Sequence, residues 1–131
     1  MARILIIEDN PANLKLALAI LHYAGHETLA AIDGEEGVAA ARRERPDLIL
    51  MDVQMPGMNG LEATRLLKQD TATAAIPVLG LTAFAMKGDA ERILAAGCDA
   101  YLPKPYSHAQ LTGAVTALLA TPCQPRWGPL P

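Results

Sequence analysis

The stretch PDLILMDV, residues 46–53, decides the fold that the sequence predicts. It is a nearly continuous aliphatic run, without the apolar and polar alternation of a strand that has one solvated face. Such a strand is buried on both faces, which is typical of a parallel sheet covered by helices on each side. The stretch RILII, residues 3–7, has the same character.

Outward from this stretch, apolar runs alternate with helical patterns along the chain. The predicted strands cover residues 3–7, 27–32, 46–53, 76–83 and 99–103. The predicted helices cover residues 11–25, 59–70, 87–97 and 107–120, and residues 33–45 form a turn that leads into a further helix. Asn10 is expected to cap the first helix, with Pro11 in its first turn. With helices as right-handed crossovers, five such units predict a flavodoxin-like, doubly wound α/β fold with a five-stranded parallel sheet in the order 2-1-3-4-5.

Composition restricts the class of protein. The chain has 131 residues, 51% of them hydrophobic and only 4% aromatic, which predicts one domain with a small-aliphatic core. A net charge of −3 with scattered basic residues argues against nucleic acid as a partner. No run reaches transmembrane or signal-peptide character, and Cys98 and Cys123 match no metal, redox or disulfide pattern. We therefore expect a cytoplasmic domain without membrane contact.

The chain divides into a domain at residues 1–120 and a Pro-rich arm at residues 121–131, TPCQPRWGPLP. Prolines exclude a helix there and favour an extended, polyproline-like segment. The arm is expected either to be disordered or to dock Trp127 and Leu130 on a partner or on a second copy of the chain, which leaves a homodimer open.

Chemically active side chains stand at the carboxyl ends of four predicted strands. They are Glu8 and Asp9, then Asp52, Thr82 and Lys104. Each alone has an ordinary explanation, such as a solvated acid or a turn residue, but ligands of a doubly wound sheet bind at this edge. Three carboxylates repel one another unless a cation is present, and Mg²⁺ prefers oxygen ligands. Asp52 is the natural nucleophile for a phosphoryl group whose oxygens Lys104 and Thr82 can bind.

Four motifs then carry a family resemblance: IIEDN at residues 6–10, PDLILMDVQMPGMNG at 46–60, LTAFAMKGD at 81–89 and YLPKP at 101–105. In this order and spacing, they resemble the receiver domain of bacterial two-component response regulators, the CheY-like family, over residues 3–120. The chain looks most like stand-alone regulators of the DivK type.

The resemblance implies that Asp52 accepts a phosphoryl group from the phosphohistidine of a sensor histidine kinase or histidine phosphotransfer protein, with Thr82 and Lys104 on the phosphoryl oxygens. It implies a Mg²⁺ site, with Mn²⁺ as an alternative ion, made by Glu8 through water, Asp9, Asp52 and the backbone carbonyl of Gln54.

The resemblance also implies a switch, in which phosphorylation draws Thr82 inward and Tyr101 rotates into the space left behind; otherwise Tyr101 merely packs. A cis peptide between Lys104 and Pro105 is expected. Gln54 and Phe84 are placed to tune attack by water on the phosphorylated form. A bulky Phe84 predicts that the phosphorylated chain hydrolyses its own phosphoryl group slowly. The lifetime of the phosphorylated form would then be set by the partner protein.

The first helix has apolar residues on two sides. Leu14, Leu18 and Leu21 fit a core stripe, whereas Leu16, Ile20 and Tyr23 are expected on the opposite side. These three are either tolerated surface residues or a kinase-docking or dimer surface.

The leading interpretation is a single-domain signalling module and not an enzyme. No output domain follows residue 120, so the chain is expected to act by docking on a downstream protein target or as a phosphate shuttle or sink in a relay. An aspartyl phosphatase needs a second acid where Gln54 stands. A receiver-like binding module that never takes phosphate is disfavoured because all five site residues are present. A flavin carrier needs a Ser, Thr and Gly-rich loop in place of EDNPAN.

Overall fold

The computed structural model describes residues 2–53, 59–82, 87–104 and 106–120. Several sequence predictions fall outside these ranges and are not addressed by the structure. They concern Gln54, Phe84, Pro105 with its expected cis peptide, Trp127 and the arm at residues 121–131.

Strands and helices alternate in the predicted order, each within a few residues of its predicted bounds. The strands are β1 Arg3–Ile7, β2 Glu27–Ala31, β3 Leu48–Asp52, β4 Val78–Thr82 and β5 Ala100–Pro103. The helices are α1 Pro11–Tyr23, α2 Gly34–Glu44, α3 Gly60–Gln69, α4 Lys87–Ala95 and α5 His108–Leu119.

All strand pairs of the sheet are parallel, and the strand order is β2-β1-β3-β4-β5. The predicted doubly wound α/β fold and its strand order are therefore confirmed. Because β1 and β3 are central neighbours, with Ile7 in register with Met51, their carboxyl ends lie side by side.

The two central strands are buried on both faces, as their continuous apolar runs predict. On one face, a core packs against α1 and α5 and includes Ile4, Ile6, Leu48 and Leu50. On the other face, a second core packs against α2, α3 and α4 and includes Leu5, Ile7, Ile49 and Met51. The side chains of these eight residues are fully buried. The sheet is thus a rigid layer between two apolar cores, and its polar groups concentrate at its edges.

Local signals in the sequence set the helix starts. The Asn10 side chain accepts hydrogen bonds from the backbone N–H groups of Ala12 and Asn13 at 2.9 and 3.1 Å, which confirms the predicted N-cap of α1. At α5, Ser107 and Gln110 form a reciprocal capping box. These caps satisfy backbone donors that the helices cannot satisfy internally.

The expectation that Ile20 lies on the exposed side of α1 is wrong. Ile20 is 3% exposed and belongs to the core, whereas Leu16 and Tyr23 are 53% and 87% exposed. Ile20 lies three residues after the buried Ala17 and so at the border of the same face. The buried face of α1 is wider than the stripe of Leu14, Leu18 and Leu21 that the sequence predicts, because the helix packs against both the sheet and α5.

Candidate functional site

Three carboxylates converge where the two central strands end. Asp52 is the last residue of β3, and Glu8 and Asp9 follow β1 directly. One carboxylate oxygen from each residue can be chosen so that all three lie within 4.8 Å of one another. Glu8 and Asp52 are each 2% exposed, while Asp9 is exposed. The cluster is therefore buried on its inner side and open to solvent at Asp9.

Lys104 inserts its ammonium between two of these carboxylates. Its Nζ donates a hydrogen bond to Glu8 Oε1 at 3.0 Å and lies 3.4 Å from Asp52 Oδ1. The backbone N–H of Lys104 donates to the carbonyl of Thr82 at 2.7 Å, which ties the segment after β5 to the end of β4. The side chain therefore projects from a fixed backbone into the carboxylate cluster.

Hydrogen bonds and charge pairing together outweigh the effect of burial on the pKa values of Glu8 and Lys104. Burial raises the pKa of Glu8, but hydrogen bonds with Asp52 and Lys104 bring the pKa of that carboxyl below its usual value. Burial lowers the pKa of Lys104, but Glu8 and Asp52 raise the pKa of this ammonium above its usual value. Glu8 is thus held as a carboxylate and Lys104 as a cation near neutral pH.

The start of α1 orients the acidic pair. Glu8 Oε2 accepts a hydrogen bond from the backbone N–H of Asn10 at 3.3 Å, while Oε1 accepts from Lys104. Asn10 also caps α1, so the strand end, the acids and the helix form one connected turn. The positive end of the helix dipole lies beside the carboxylates and favours their ionised form.

Thr82 and Tyr101 occupy the neighbouring strands on one face of the sheet. Thr82, at the end of β4, is 1% exposed. Tyr101 of β5 is in register with Gly80, and Gly80 shares its face with Thr82, since side chains alternate along a strand. Tyr101 is 37% exposed. Both residues therefore lie on the sheet face that α4 covers, with no side chain at Gly80 between them.

Tyr106 also lies beside the site, although no motif in the sequence indicates it. Its side chain is partly buried against the α1 and α5 core. Burial raises the pKa of the Tyr106 hydroxyl, Lys104 acts in the opposite direction, and Glu8 and Asp52 raise it further. Tyr106 is therefore close enough for the charges of Lys104, Glu8 and Asp52 to change the pKa of its hydroxyl. The sequence feature that could have indicated Tyr106 is its position two residues after Lys104, at the same edge of the sheet.

The donor set fits a hard divalent cation. The three clustered side chains offer only carboxylate oxygens, which Mg²⁺ prefers, and one of them is exposed. An open side suits an ion that retains several waters. Glu8, Asp9 and Asp52 can therefore hold Mg²⁺.

The profile of the response regulator receiver domain family matches residues 4–116. The chain belongs to this family, and it is the receiver domain of a response regulator of two-component signalling. Its fold and the placement of its acidic cluster agree with that membership.

Among curated relatives, the polar-differentiation response regulator DivK of Brucella anthropi is 50% identical over 104 residues, which cover 79% of this chain and 85% of the relative. DivK of Brucella ovis is 49% identical over the same shares of both chains.

Two solved structures extend the comparison. The receiver domain of the sensor histidine kinase PA1611 from Pseudomonas aeruginosa PAO1, with a magnesium ion coordinated in its active site cleft, is 36% identical with a TM-score of 0.86, covering 92% of this chain and 98% of that one. The chemotaxis protein CheY4 of Vibrio cholerae is 29% identical with a TM-score of 0.86, covering 90% and 98%.

Across the described ranges, none of the helices combines the length and the apolar character needed to cross a bilayer.

Proposed function

We propose that this receiver domain is a phosphorylation-controlled signalling module in which Asp52 accepts a phosphoryl group from a phosphohistidine. The donor is a sensor histidine kinase or a histidine phosphotransfer protein. One observation carries the proposal: a buried aspartate at the end of the central strand lies within one cluster with two further carboxylates and is contacted by a lysine ammonium. Phosphoryl transfer depends on such positioning and charge neutralisation more than on covalent chemistry by the protein.

In the transfer step, an Asp52 carboxylate oxygen attacks the phosphorus in line with the leaving imidazole nitrogen. The P–N bond breaks, an acyl phosphate forms on Asp52, and the imidazole nitrogen keeps the electron pair. Lys104, at 3.4 Å from Asp52, supplies positive charge to a phosphoryl oxygen, and the Thr82 hydroxyl donates a hydrogen bond to another. Glu8, Asp9 and Asp52 would hold Mg²⁺, which would supply positive charge to the phosphoryl oxygens.

The sequence prediction that the backbone carbonyl of Gln54 is a further Mg²⁺ ligand lies outside the described residues. The same is true of the hydrolysis tuning assigned to Gln54 and Phe84, and of the slow self-hydrolysis expected from it. These stay predictions, as does a cytoplasmic site of action.

The output of the module is a change in protein binding. Phosphorylation adds roughly two negative charges beside Thr82. We propose that Thr82 then moves toward the phosphoryl group and that Tyr101, on the same face of the sheet, turns inward. The two residues lie on adjacent strands and on the same face of the sheet. The face formed by α4, β5 and α5 thereby changes shape for a downstream protein target.

A second surface is available for the phosphoryl donor on α1. Leu16 and Tyr23 expose 53% and 87% of their surface on the helix that begins beside the carboxylates. Large exposed apolar side chains of this kind suit a protein partner. Ile20 is not part of this surface, because it is buried.

Intact mass spectrometry tests the proposed function directly. The full chain is incubated with Mg²⁺ and a small acyl phosphate, and a single added phosphoryl group is expected. Asp52→Asn should abolish the adduct, and chelation of Mg²⁺ should prevent it.

Asp47→Asn is the matched control, since Asp47 precedes the strand that Asp52 ends and is exposed. It should label like the native chain. Equal labelling of Asp52→Asn and Asp47→Asn would refute the assignment of Asp52.

A further inference from the structure

We propose that two copies of this chain associate through α5, which packs on α5 of the second copy, with Leu16 and Tyr23 of α1 at the margin of the contact. The contact is symmetric, so each copy contributes the same surface. Its formation needs no phosphoryl group. Only one consequence rests on the proposed function, namely that the second copy covers the α1 residues assigned to the donor.

Helix α5 differs from the other helices in its charge. From His108 to Leu119 it contains no Asp, Glu, Lys or Arg, and among the five helices of the described ranges it is the only one without such a residue. Solvent-facing helices usually carry charged residues on their outer face. The exposed residues of α5 are instead His108, Ala109, Gln110, Gly113, Thr116 and Ala117. The outer face of α5 therefore lacks the charges typical of a helix surface that stays in water.

The adjoining side of α1 is uncharged as well. Its exposed residues Ala12, Leu16, Ala19 and Tyr23 follow one another at the spacing of one helix face. Leu16 and Tyr23 are 53% and 87% exposed. The ring of Tyr23 contacts the ring of His108, the first residue of α5, edge to face with centroids 6.5 Å apart. The two helices therefore share one uncharged, largely apolar face.

The absence of charge favours a second copy as the partner. In a two-fold symmetric contact, residues near the axis face their own counterparts, so a charged residue there meets a like charge. The chain has 14 acidic and 11 basic residues, and each of the other four helices exposes some of them. Helix α5 can pack on its own copy without this repulsion, and it offers no charge that would attract a partner of opposite sign.

Gly113 marks the place where the two helices meet. It lies inside α5 and is exposed, and a Cβ at this position would meet nothing within 4 Å. Its φ angle is not positive either, so neither packing nor backbone conformation within the domain requires a glycine there. Glycine in a helix interior is destabilising relative to alanine, but it lets another backbone approach closely. The geometry therefore places the symmetry axis beside Gly113.

The size of the face predicts a weak, reversible dimer. The 12 residues of α5 span about 18 Å and the 13 residues of α1 about 20 Å. With each helix about 10 Å wide, the footprint is roughly 400 Å² per chain. A stable interface buries about 800 Å² per partner, so this contact belongs to the transient class.

Analytical ultracentrifugation of the full, unphosphorylated chain in the absence of Mg²⁺ tests the association. The chain should pass reversibly from monomer to dimer as its concentration rises from about 1 µM to about 1 mM, the range of a weak interface. A chain that stays monomeric throughout this range overturns the proposal.

Charges introduced beside Gly113 test the symmetry of the contact. Thr116 is exposed on the same side of α5. Thr116→Glu and Thr116→Lys should each raise the dissociation constant about tenfold, because like charges then approach across the axis, whereas an equimolar mixture of the two should associate like the native chain. Ala39→Glu, on the exposed side of α2, is the matched control and should also associate like the native chain. Native-like association of each Thr116 variant alone would place the contact elsewhere in the chain. That result, a mixture that stays monomeric, or an equal loss in the control overturns the proposal.

Gly113→Leu separates close helix packing from general apolar attraction. The leucine adds apolar surface but holds the two backbones apart, so the dissociation constant should rise about tenfold. Circular dichroism should show a native helix content, because the site is open to solvent. Unchanged or tighter association of this variant overturns the proposal. These measurements involve neither phosphate nor metal, so their failure leaves the assignment of Asp52 untouched.

Discussion

The ammonium of Lys104 donates a 3.0 Å hydrogen bond to the carboxylate of Glu8, a residue 96 positions earlier in the chain. This pair joins the ends of β1 and β5, which are not neighbours in the sheet. Lys104 also contacts Asp52 at 3.4 Å, so one cation bridges the strands from which the site is built. The ammonium of Lys104 therefore neutralises part of the negative charge of Glu8 and Asp52. A metal ion that binds these carboxylates competes with that ammonium.

Lys104→Met should bind Mg²⁺ more tightly than the native chain while taking phosphate more slowly. The substitution removes a positive charge beside Glu8 and Asp52, which lowers the electrostatic work of bringing in a second cation. It also removes the charge that, in the proposed function, stabilises the transferring phosphoryl group. Calorimetric titration with Mg²⁺ and mass-spectrometric labelling measure the two effects. Lys15→Met removes an equal charge from the exposed side of α1 and serves as control. Equal Mg²⁺ affinities of the two variants would contradict the prediction.

The Glu8–Lys104 pair should stabilise the metal-free fold only within a pH window. The pKa of Glu8 is lowered, so its contribution is complete above the ordinary value of 4.5 and is lost as the pH falls through the folded-state pKa. The pKa of Lys104 is raised, so its contribution is complete below 10.5 and is lost as the pH rises through the folded-state pKa. Urea unfolding should show a larger difference between native and Lys104→Met chains at about pH 7 than at about pH 3. A difference that does not change with pH would count against the pair.

Lys68→Met should destabilise the domain by about 3 kcal/mol, because it removes a cation that contacts a buried carboxylate. Lys68 Nζ lies 3.1 Å from Asp99, whose side chain is 2% exposed, and also donates to the carbonyl of Ile76 at 2.7 Å. Arg43→Met is the control, since the Arg43 side chain is 67% exposed in its ion pair with Glu44 and such pairs contribute about 1 kcal/mol or less. Chemical denaturation measures both values, and similar losses would refute the distinction.

Two glycine-to-alanine substitutions should have opposite effects on stability. A Cβ at Gly60 would lie 2.8 Å from the Cα of Val53 and against the backbone of Asp52, so Gly60→Ala should destabilise the fold and reduce phosphoryl labelling. A Cβ at Gly113 meets nothing within 4 Å, and Gly113→Ala should stabilise α5 by about 0.5–1 kcal/mol. Thermal unfolding and labelling of both variants provide the measurement. Normal labelling of Gly60→Ala would show that the backbone of Asp52 tolerates displacement.

Cys98 should be inert toward thiol reagents in the folded protein. Burial raises the pKa of its thiol from 9.0 to about 11, against an opposing hydrogen bond with Thr64. In a Cys123→Ser background, a disulfide reagent at about pH 8 should react only after denaturation, because the thiolate is the reactive form. Since the folded-state pKa is raised, the contribution of Cys98 to stability is complete below 9.0 and is lost as the pH rises toward 11. Rapid labelling of the native chain would contradict the burial of this thiol.

Much of the fold could be read from local features of the sequence. Continuous apolar runs such as residues 48–51 predict strands buried on both faces, and the structure confirms this for β3 Leu48–Asp52. Asn10 and Pro11 predicted the start of α1, because capping and a fixed φ involve only neighbouring residues. The placement of Asp52 with Glu8 and Asp9 followed from a topological rule, since the carboxyl ends of parallel strands share one edge.

Other features depend on how elements approach one another. Periodicity put Ile20 on the outer side of α1, but tertiary packing in the core shared by the sheet, α1 and α5 buries it. The ion pair of Lys68 with Asp99 has no local pattern, because its members stand on separate elements that only packing brings together.

The sequence alone thus determined the order of elements, the strand order of the sheet and the set of side chains at its carboxyl edge, because helix capping, hydrophobic runs and parallel topology act through local or general rules. Tertiary structure alone decided which carboxylate Lys104 binds, which side chains of α1 stay exposed and which charges are buried. These depend on distances between atoms far apart in the chain, and packing sets those distances to within a fraction of an ångström.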